Sequence, residues 1–354
     1  MILENIANKR KFFQISKNMK TAFSRRRFLK NTASAAVLAN IPLVISLPFS
    51  PNPNIGQNST VNFGFITDLH HGLCKDAMRR LNQFITDAQT RSLDFIIQGG
   101  DFCFSEPGGQ ECVDLWNTYS GDKFHVLGNH DMDKGSKKDI MKMWSMDKNY
   151  YSFDRGNFHF VVLDANFIYR DGKYYDYDNA NFYIPSEHRA HVNPEQLNWL
   201  KQDLKSTNKQ TLIFSHQAFD ELWDKSTSPS RFLVRKIIED ANSKAKFNKV
   251  IACFCGHHHL DQHSIIDDVH YFQMNSASYY WAGKSYGSDG AMAMYSKPLY
   301  AYISVSSEGK IIIEGRQGSF IKPTPLEKGH PEYSKLSASI ESKAVSFIEH
   351  NPSK

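Results

Sequence analysis

From about residue 60 onward, short apolar runs alternate with stretches in which apolar residues recur every three or four positions. "VNFGFITD" (61–68) reads as a buried strand, and Lys75 to Arg91 as an amphipathic helix with Met78, Leu81, Phe84, Ile85 and Ala88 on one face. "LDFIIQGGD" and "FHVLGNHD" each read as a strand followed by a turn, and "YYSFDRGNFHFVVLD" as a hairpin around Arg155-Gly156-Asn157. Pro194 opens a helix in "PEQLNWLKQDLK", "TLIFSH" is a strand, "RFLVRKIIEDANSKAK" a helix, and "KVIACFCGHHH" a strand and turn. The later runs "HYFQMNS", "LYAYISVS" and "KIIIEGRQG" read as strands with no helix between them. β-α units mixed with hairpins predict an α/β fold of two packed mixed β-sheets flanked by helices, not one doubly wound sheet.

The same pattern sorts the polar residues. Asp68, Asp101, Asn129, His216 and His257 each fall at or just beyond the C-terminal end of a predicted strand, where ligands of open α/β sheets gather. "FCGHHHLDQH" (254–263) places four imidazoles in ten residues, a costly cluster unless something uses their lone pairs. In order, the chain offers Asp68-x-His70, Gly100-Asp101, Gly128-Asn129-His130-Asp131, His216 and Gly256-His257-x-His259. Each alone has an ordinary reading as a turn, a cap or a core pair. Five such segments, each following an apolar strand, point to one metal-binding site.

This series resembles the calcineurin-like metallophosphoesterase family over roughly residues 60 to 320, whose pattern is D-x-H, G-D, G-N-H-D/E, H and G-H-x-H. The resemblance implies a four-layer αββα sandwich. It also implies that Asp68, His70, Asp101 and His259 hold one metal while Asp101, Asn129, His216 and His257 hold the other, with Asp101 as the bridge. His130 is implied to stabilise the transition state or protonate the leaving oxygen, and Asp131 either orients it or caps the next turn. His258 is expected to make no metal contact.

The chemistry fits these residue types independently. Two divalent ions roughly 3.5–4 Å apart need a bridging carboxylate, and mixed N/O donors suit Mn, Fe, Zn or Co better than Ca or Mg. The expected reaction is hydrolysis of a phosphate mono- or diester by a metal-bridging hydroxide, the substrate being a small organic phosphoester. Phe104 stands where the purple acid phosphatase branch has a tyrosine ligand, so a pale enzyme is expected.

Charge then locates the chain. Of 42 Lys and Arg, nine lie in residues 1–50 with Glu4 as their one acidic companion, leaving 33 basic against 36 acidic residues beyond. A nucleic-acid-binding surface is therefore not expected. "SRRRFLK" (Ser24 to Lys30), followed by a mostly uncharged apolar run, resembles a twin-arginine export signal. It implies passage through the twin-arginine translocase as a folded protein and a periplasmic location, or membrane anchoring if the leader stays.

The expected organisation is a leader at 1–50, the phosphoesterase domain at 51–325 with a cap insertion at 165–196, and a tail at 326–354. The insertion is rich in Phe and Tyr and too polar for core, and "SASYYWAG" (276–283) offers a second aromatic wall able to stack a nucleobase or other organic group. Five cysteines are too sparse for a disulfide framework, and Cys253 and Cys255 read as small buried hydrophobes. Two rival readings are a metallo-β-lactamase-type hydrolase, from His257-x-His259-x-Asp261, and an exported metal-binding module without turnover. Gln262 breaks the first motif, and an intact His130 opposes the second.

Overall fold

The computed structural model describes residues 60–180, 184–221, 228–282, 291–333 and 335–347. The leader with Ser24–Lys30 lies outside these residues, as do 181–183 of the insertion and Gly283. Five helices are described: α1 (Ala77–Gln89), α2 (Gly109–Asn117), α3 (Lys137–Met143), α4 (Pro194–Ser206) and α5 (Arg231–Lys244). The strands before α5 are β1 (Thr60–Ile66), β2 (Phe95–Gln98), β3 (Asp122–His125), β4 (Tyr151–Arg155), β5 (Phe158–Leu163), β6 (Phe167–Arg170), β7 (Lys173–Asp176) and β8 (Gln210–Ser215). They are followed by β9 (Val250–Cys255), β10 (Gln262–Ile266), β11 (Val269–Gln273), β12 (Tyr279–Trp281), β13 (Met292–Met294), β14 (Ala301–Ser306), β15 (Lys310–Gly315) and β16 (Lys343–Ser346).

Two six-stranded mixed sheets carry the domain, in the orders β16-β15-β14-β1-β2-β3 and β10-β11-β9-β8-β5-β4. β1, β2 and β3 run parallel, as do β5, β8, β9 and β11, while β14 and β4 pair antiparallel to their neighbours. Strand alternation explains the layering. Phe63, Phe65, Phe95, Phe158, Phe160, Phe214 and Phe254 share one core between the sheets. The intervening Val161, Leu163, Ile213 and Cys253 face outward onto Leu200 and Leu204 of α4 and Val234 and Ile238 of α5. On the other outer face, Ile66 and Ile96 meet Leu81, Phe84 and Ile85 of α1 and Trp116 of α2. Strands buried on both faces read as unbroken apolar runs, which is why they were visible in sequence.

The inter-sheet core is a phenylalanine lattice. Phe63 stacks on Phe95 at 4.9 Å and meets Phe160 and Phe214 edge-on at 6.0 and 5.7 Å. Truncating one of these rings to Ala costs about 3–5 kcal/mol.

α4 begins where Asn193 accepts a hydrogen bond from Gln196 N with Pro194 next to it, so the helix start is set by the chain itself. All five cysteines are buried and free. Residues 343–346, placed by sequence in a tail, form the edge strand β16 against β15.

Candidate metal centre

Five of the parallel strands deliver a polar residue just after they end: Asp68 after β1, Asp101 after β2, Asn129 after β3, His216 after β8 and His257 after β9. The loops turn sharply. Asp68, His70, Asp101, His257 and His259 all have φ between +52° and +69°, the left-handed region that a non-glycine residue enters at about 1 kcal/mol or more each. Five strained residues at one place mark a site whose geometry is imposed by the surrounding fold. Two glycines make the close approach possible. A Cβ on Gly128 would lie 2.1 Å from Asp101 N, and one on Gly256 2.3 Å from Asp68 Oδ2.

The side chains converge as two triads of possible ligand atoms, Asp68–His70–His259 and Asp101–His216–His257. In the first, His259 Nε2 lies 3.0 Å from His70 Nε2 and 3.2 Å from Asp68 Oδ1. Asp101 Oδ2 stands between the triads, 3.0 Å from His216 Nε2 and 3.8 Å from His70 Nε2. Backbone carbonyls fix the imidazoles: His259 Nδ1 donates to Tyr279 O at 2.6 Å and His216 Nδ1 to Gly99 O at 2.8 Å. Each is thereby left with Nε2 facing the site.

Electrostatics completes the picture. Burial raises Asp68, but His259 and His216 outweigh it and hold its pKa at about 2. Burial also raises Asp101, yet His216 and His130 hold it well below the usual carboxylate range. Burial pushes His70 and His257 well below 6.5, keeping them neutral. His216 goes the other way: burial lowers it, but Asp101 and Asp68 lift it to about 10.

The remaining predicted residues separate. Asn129 Oδ1 accepts a hydrogen bond from Gln217 Nε2 at 3.4 Å, and the same Gln217 nitrogen donates to Asn166 at 2.6 Å. Asp131 does not orient His130. Its carboxylate accepts from the backbone N–H groups of Asp101, Phe102, Cys103 and Gly128, pinning the second strand-end loop to the third. The partner of His130 is Asp133, whose Oδ2 lies 2.6 Å from Nδ1 on the same 3-10 turn. The sequence reading missed it, although the i,i+3 spacing in His130-Asp131-Met132-Asp133 was a usable signal. His258 turns to Gln273 at 2.9 Å, and His263 pairs with His270. Asp261 bonds Lys343 and Glu341 N, so the metallo-β-lactamase-like reading of His257-x-His259-x-Asp261 loses its carboxylate.

The aromatic wall is half where sequence placed it. The partly exposed Trp281 lies 6.1–6.3 Å, ring to ring, from His70, His130 and His259. The insertion forms the β6–β7 hairpin, and Ala180 N donates to Met132 O beside His130.

Comparison with known proteins agrees with this geometry. A model of the calcineurin-like phosphoesterase family matches residues 61–261. A curated relative, the manganese-dependent ADP-ribose/CDP-alcohol diphosphatase of Oryza sativa subsp. japonica, is 24% identical over 188 residues, which span 44% of this chain and 57% of that protein. The match thus reaches little more than half of the relative's length. A dimetal phosphatase from Danio rerio superposes with a TM-score of 0.56 at 14% identity, covering 81% of this chain and 99% of that one. GAP50, the anchor in the inner membrane complex of Plasmodium, gives 0.51 at 14% identity over 76% of this chain and 94% of its own. Those likenesses show the fold, which serves proteins described as a phosphatase and as an anchor, so function rests on the site. With the family model covering more than half of its length, the chain belongs to the calcineurin-like phosphoesterases, hydrolases of phosphoric esters that use a dinuclear metal centre.

Proposed function

We propose that the chain is a metal-dependent phosphohydrolase of small organic phosphoesters. In this reading Asp68, His70, Asp101 and His259 hold one divalent ion, and Asp101, Asn129, His216 and His257 the other. The observation that carries it is the meeting of two triads, buried but for the partly exposed His257, around Asp101 Oδ2.

The donor set fits a pair of cations. His216 Nε2 sits 3.0 Å from Asp101 yet out of hydrogen-bond alignment, and it has no hydrogen-bond partner among the described residues. His70 Nε2 and His259 Nε2 likewise face each other at 3.0 Å, where two neutral rings, one protonated on Nδ1, hold at most one proton between them. A cation resolves both, and displaces the proton that Asp101 and Asp68 hold on His216. Imidazole with carboxylate favours Mn, Fe, Zn or Co. Bound there, two such ions supply Lewis-acid charge to phosphoryl oxygens and acidify water.

The chain's own residues do the rest. Asp133 Oδ2 accepts a 2.6 Å hydrogen bond from His130 Nδ1–H, leaving Nε2 to donate to the leaving oxygen. Burial lowers the pKa of His130, but in the metal-free chain Asp101 and Asp133 outweigh it and raise it to about 9; with cations on Asp101, the hydrogen bond to Asp133 is the interaction that continues to favour the protonated ring. The partly exposed ring of Trp281, 6.3 Å from that of His130, is an aromatic surface at the same edge on which a planar group can stack. That ring, together with the diphosphate chemistry in the rice relative's name, favours a nucleotide-like diphosphate or phosphoester as substrate.

A panel of nucleoside diphosphate derivatives, cyclic nucleotides, glycerophosphodiesters and sugar phosphates, assayed with Mn and Zn separately, tests the reading. Turnover that is abolished by chelation and restored by metal supports it; a metal-loaded chain that cleaves none of them removes it.

The charged leader supports export through the twin-arginine translocase to the periplasm, and no helix among the described residues is long and apolar enough to cross a membrane. Arg25→Lys with Arg26→Lys keeps the charge and alters the motif. Export should cease in that variant, and normal amounts outside the cytoplasm would contradict it.

A further inference from the structure

The insertion between β5 and α4 meets the site on the His130 side. Asn179 N donates to Gly135 O at 3.0 Å and Ala180 N to Met132 O at 3.2 Å, laying the segment after β7 along the turn that carries His130. Tyr177, the first residue past β7, is 2% exposed and packs into the apolar cluster with Ile140, Met132 and Ile168. Arg189 follows the short 3-10 turn Ser186–His188.

Three buried polar atoms in this region have no hydrogen-bond partner among the described residues: Asp133 Oδ1, the Tyr177 hydroxyl and Arg189 Nε. They are complementary, being an acceptor, a donor that also accepts, and a donor. Tyr177 shares its apolar cluster with Met132, the residue before Asp133. Burial raises the pKa of its hydroxyl, the Asp133 charge raises it further, and Arg189 opposes both, so both charges are felt there. Buried polar atoms seldom stay unpaired, and a polar pocket with several such groups is where ordered water sits.

We propose that Tyr177 and Arg189 are positioning residues for His130. Together they hold the second oxygen of Asp133 through ordered water, since neither reaches it directly, while its first oxygen holds His130 Nδ1. A carboxylate tethered at one oxygen can swing; tethered at both, it fixes the imidazole and the direction of Nε2. The insertion thus serves the proton donor, and this role rests on His130 acting at the leaving oxygen as proposed above.

Tyr177→Phe keeps the ring and removes only the hydroxyl, and Arg189→Lys keeps the charge and removes Nε–H. Both are measured in the Mn-loaded full chain with phenyl phosphate, a poor leaving group, and 4-nitrophenyl phosphate, a good one. For phenyl phosphate kcat should fall about tenfold to a hundredfold. For 4-nitrophenyl phosphate kcat, KM and metal content should each change by less than about twofold. In an Asp133→Asn background, Tyr177→Phe should add nothing. Equal losses on both substrates, no loss on either, or additive effects in the double variant would overturn the proposal. If His130→Asn is sensitive to the leaving group and Tyr177→Phe is not, this inference alone falls. If His130→Asn is insensitive as well, the proton-donor role falls with it.

Discussion

The metal side and the acid side of this site are built on different plans. On the metal side every proposed ligand stands on a loop leaving the end of a parallel strand, five of them in left-handed backbone, and the orienting partners are carbonyls such as Gly99 O and Tyr279 O. On the acid side one histidine rides a single 3-10 turn and takes its orientation from Asp133, with an inserted hairpin docked behind. Backbone held in strain cannot drift without disturbing two sheets, whereas a turn supported by side chains can be retuned one residue at a time. Metal binding should therefore fail abruptly on mutation, and proton donation gradually.

The largest effect is expected at Gly256. A Cβ there would lie 2.2 Å from Thr67 Oγ1 and 2.3 Å from Asp68 Oδ2, so Gly256→Ala should displace both strand-end loops and remove bound metal and activity together. His257→Ala and His259→Ala should each lower metal content, while His258→Ala, whose ring bonds Gln273, should keep the parent's stoichiometry. Elemental analysis showing equal loss from all three histidine variants would break the distinction between the rows of ligands and their neighbour.

Next comes the acid side, where metal should survive. His130→Asn is expected to lose about 10²–10⁴ in kcat on a poor leaving group with metal content intact. Undiminished turnover on that substrate, with both ions present, would show that the imidazole is dispensable.

The finest test separates Asp131 from Asp133, two carboxylates one residue apart. Asp131→Asn leaves four backbone N–H groups around a weaker acceptor and should lower stability by about 1–3 kcal/mol, read as a fall in Tm. Asp133→Asn should leave Tm nearly unchanged and reduce kcat about tenfold to a hundredfold. The opposite assignment of effects would mean that Asp131 is the functional carboxylate after all.

How much of this was legible follows from distance along the chain. A ligand motif such as Asp68-x-His70 or Gly256-His257-x-His259 is local, and the apolar strand before it says where in the sheet it emerges. Both sheets' cores and the site's six converging side chains were therefore readable. The supports were not. Tyr279 orients His259 through a carbonyl, which every residue possesses, and Asp133 was hidden beside a more familiar-looking Asp131. Gln217 was passed over because it follows a ligand, yet its amide holds Asn129. Strand β16 was missed because Lys343–Ser346 pairs only with β15, far away in sequence, and its four residues carry no pattern of their own. Helix α2 carries little signal for a related reason: it is nine residues long and two glycines, Gly108 and Gly109, stand at its start.

The most direct measurement is the metal content of the chain purified with excess Mn, set beside its Asp101→Ala and His70→Ala variants. About two ions per parent chain are expected, about one after His70→Ala, and fewer than about one after Asp101→Ala, because in the proposed ligand set Asp101, 3.0 Å from His216 and 3.8 Å from His70, is the carboxylate that serves both ions. A parent chain that binds a single ion, or an Asp101→Ala variant that still holds two, would contradict a dinuclear centre joined by that carboxylate.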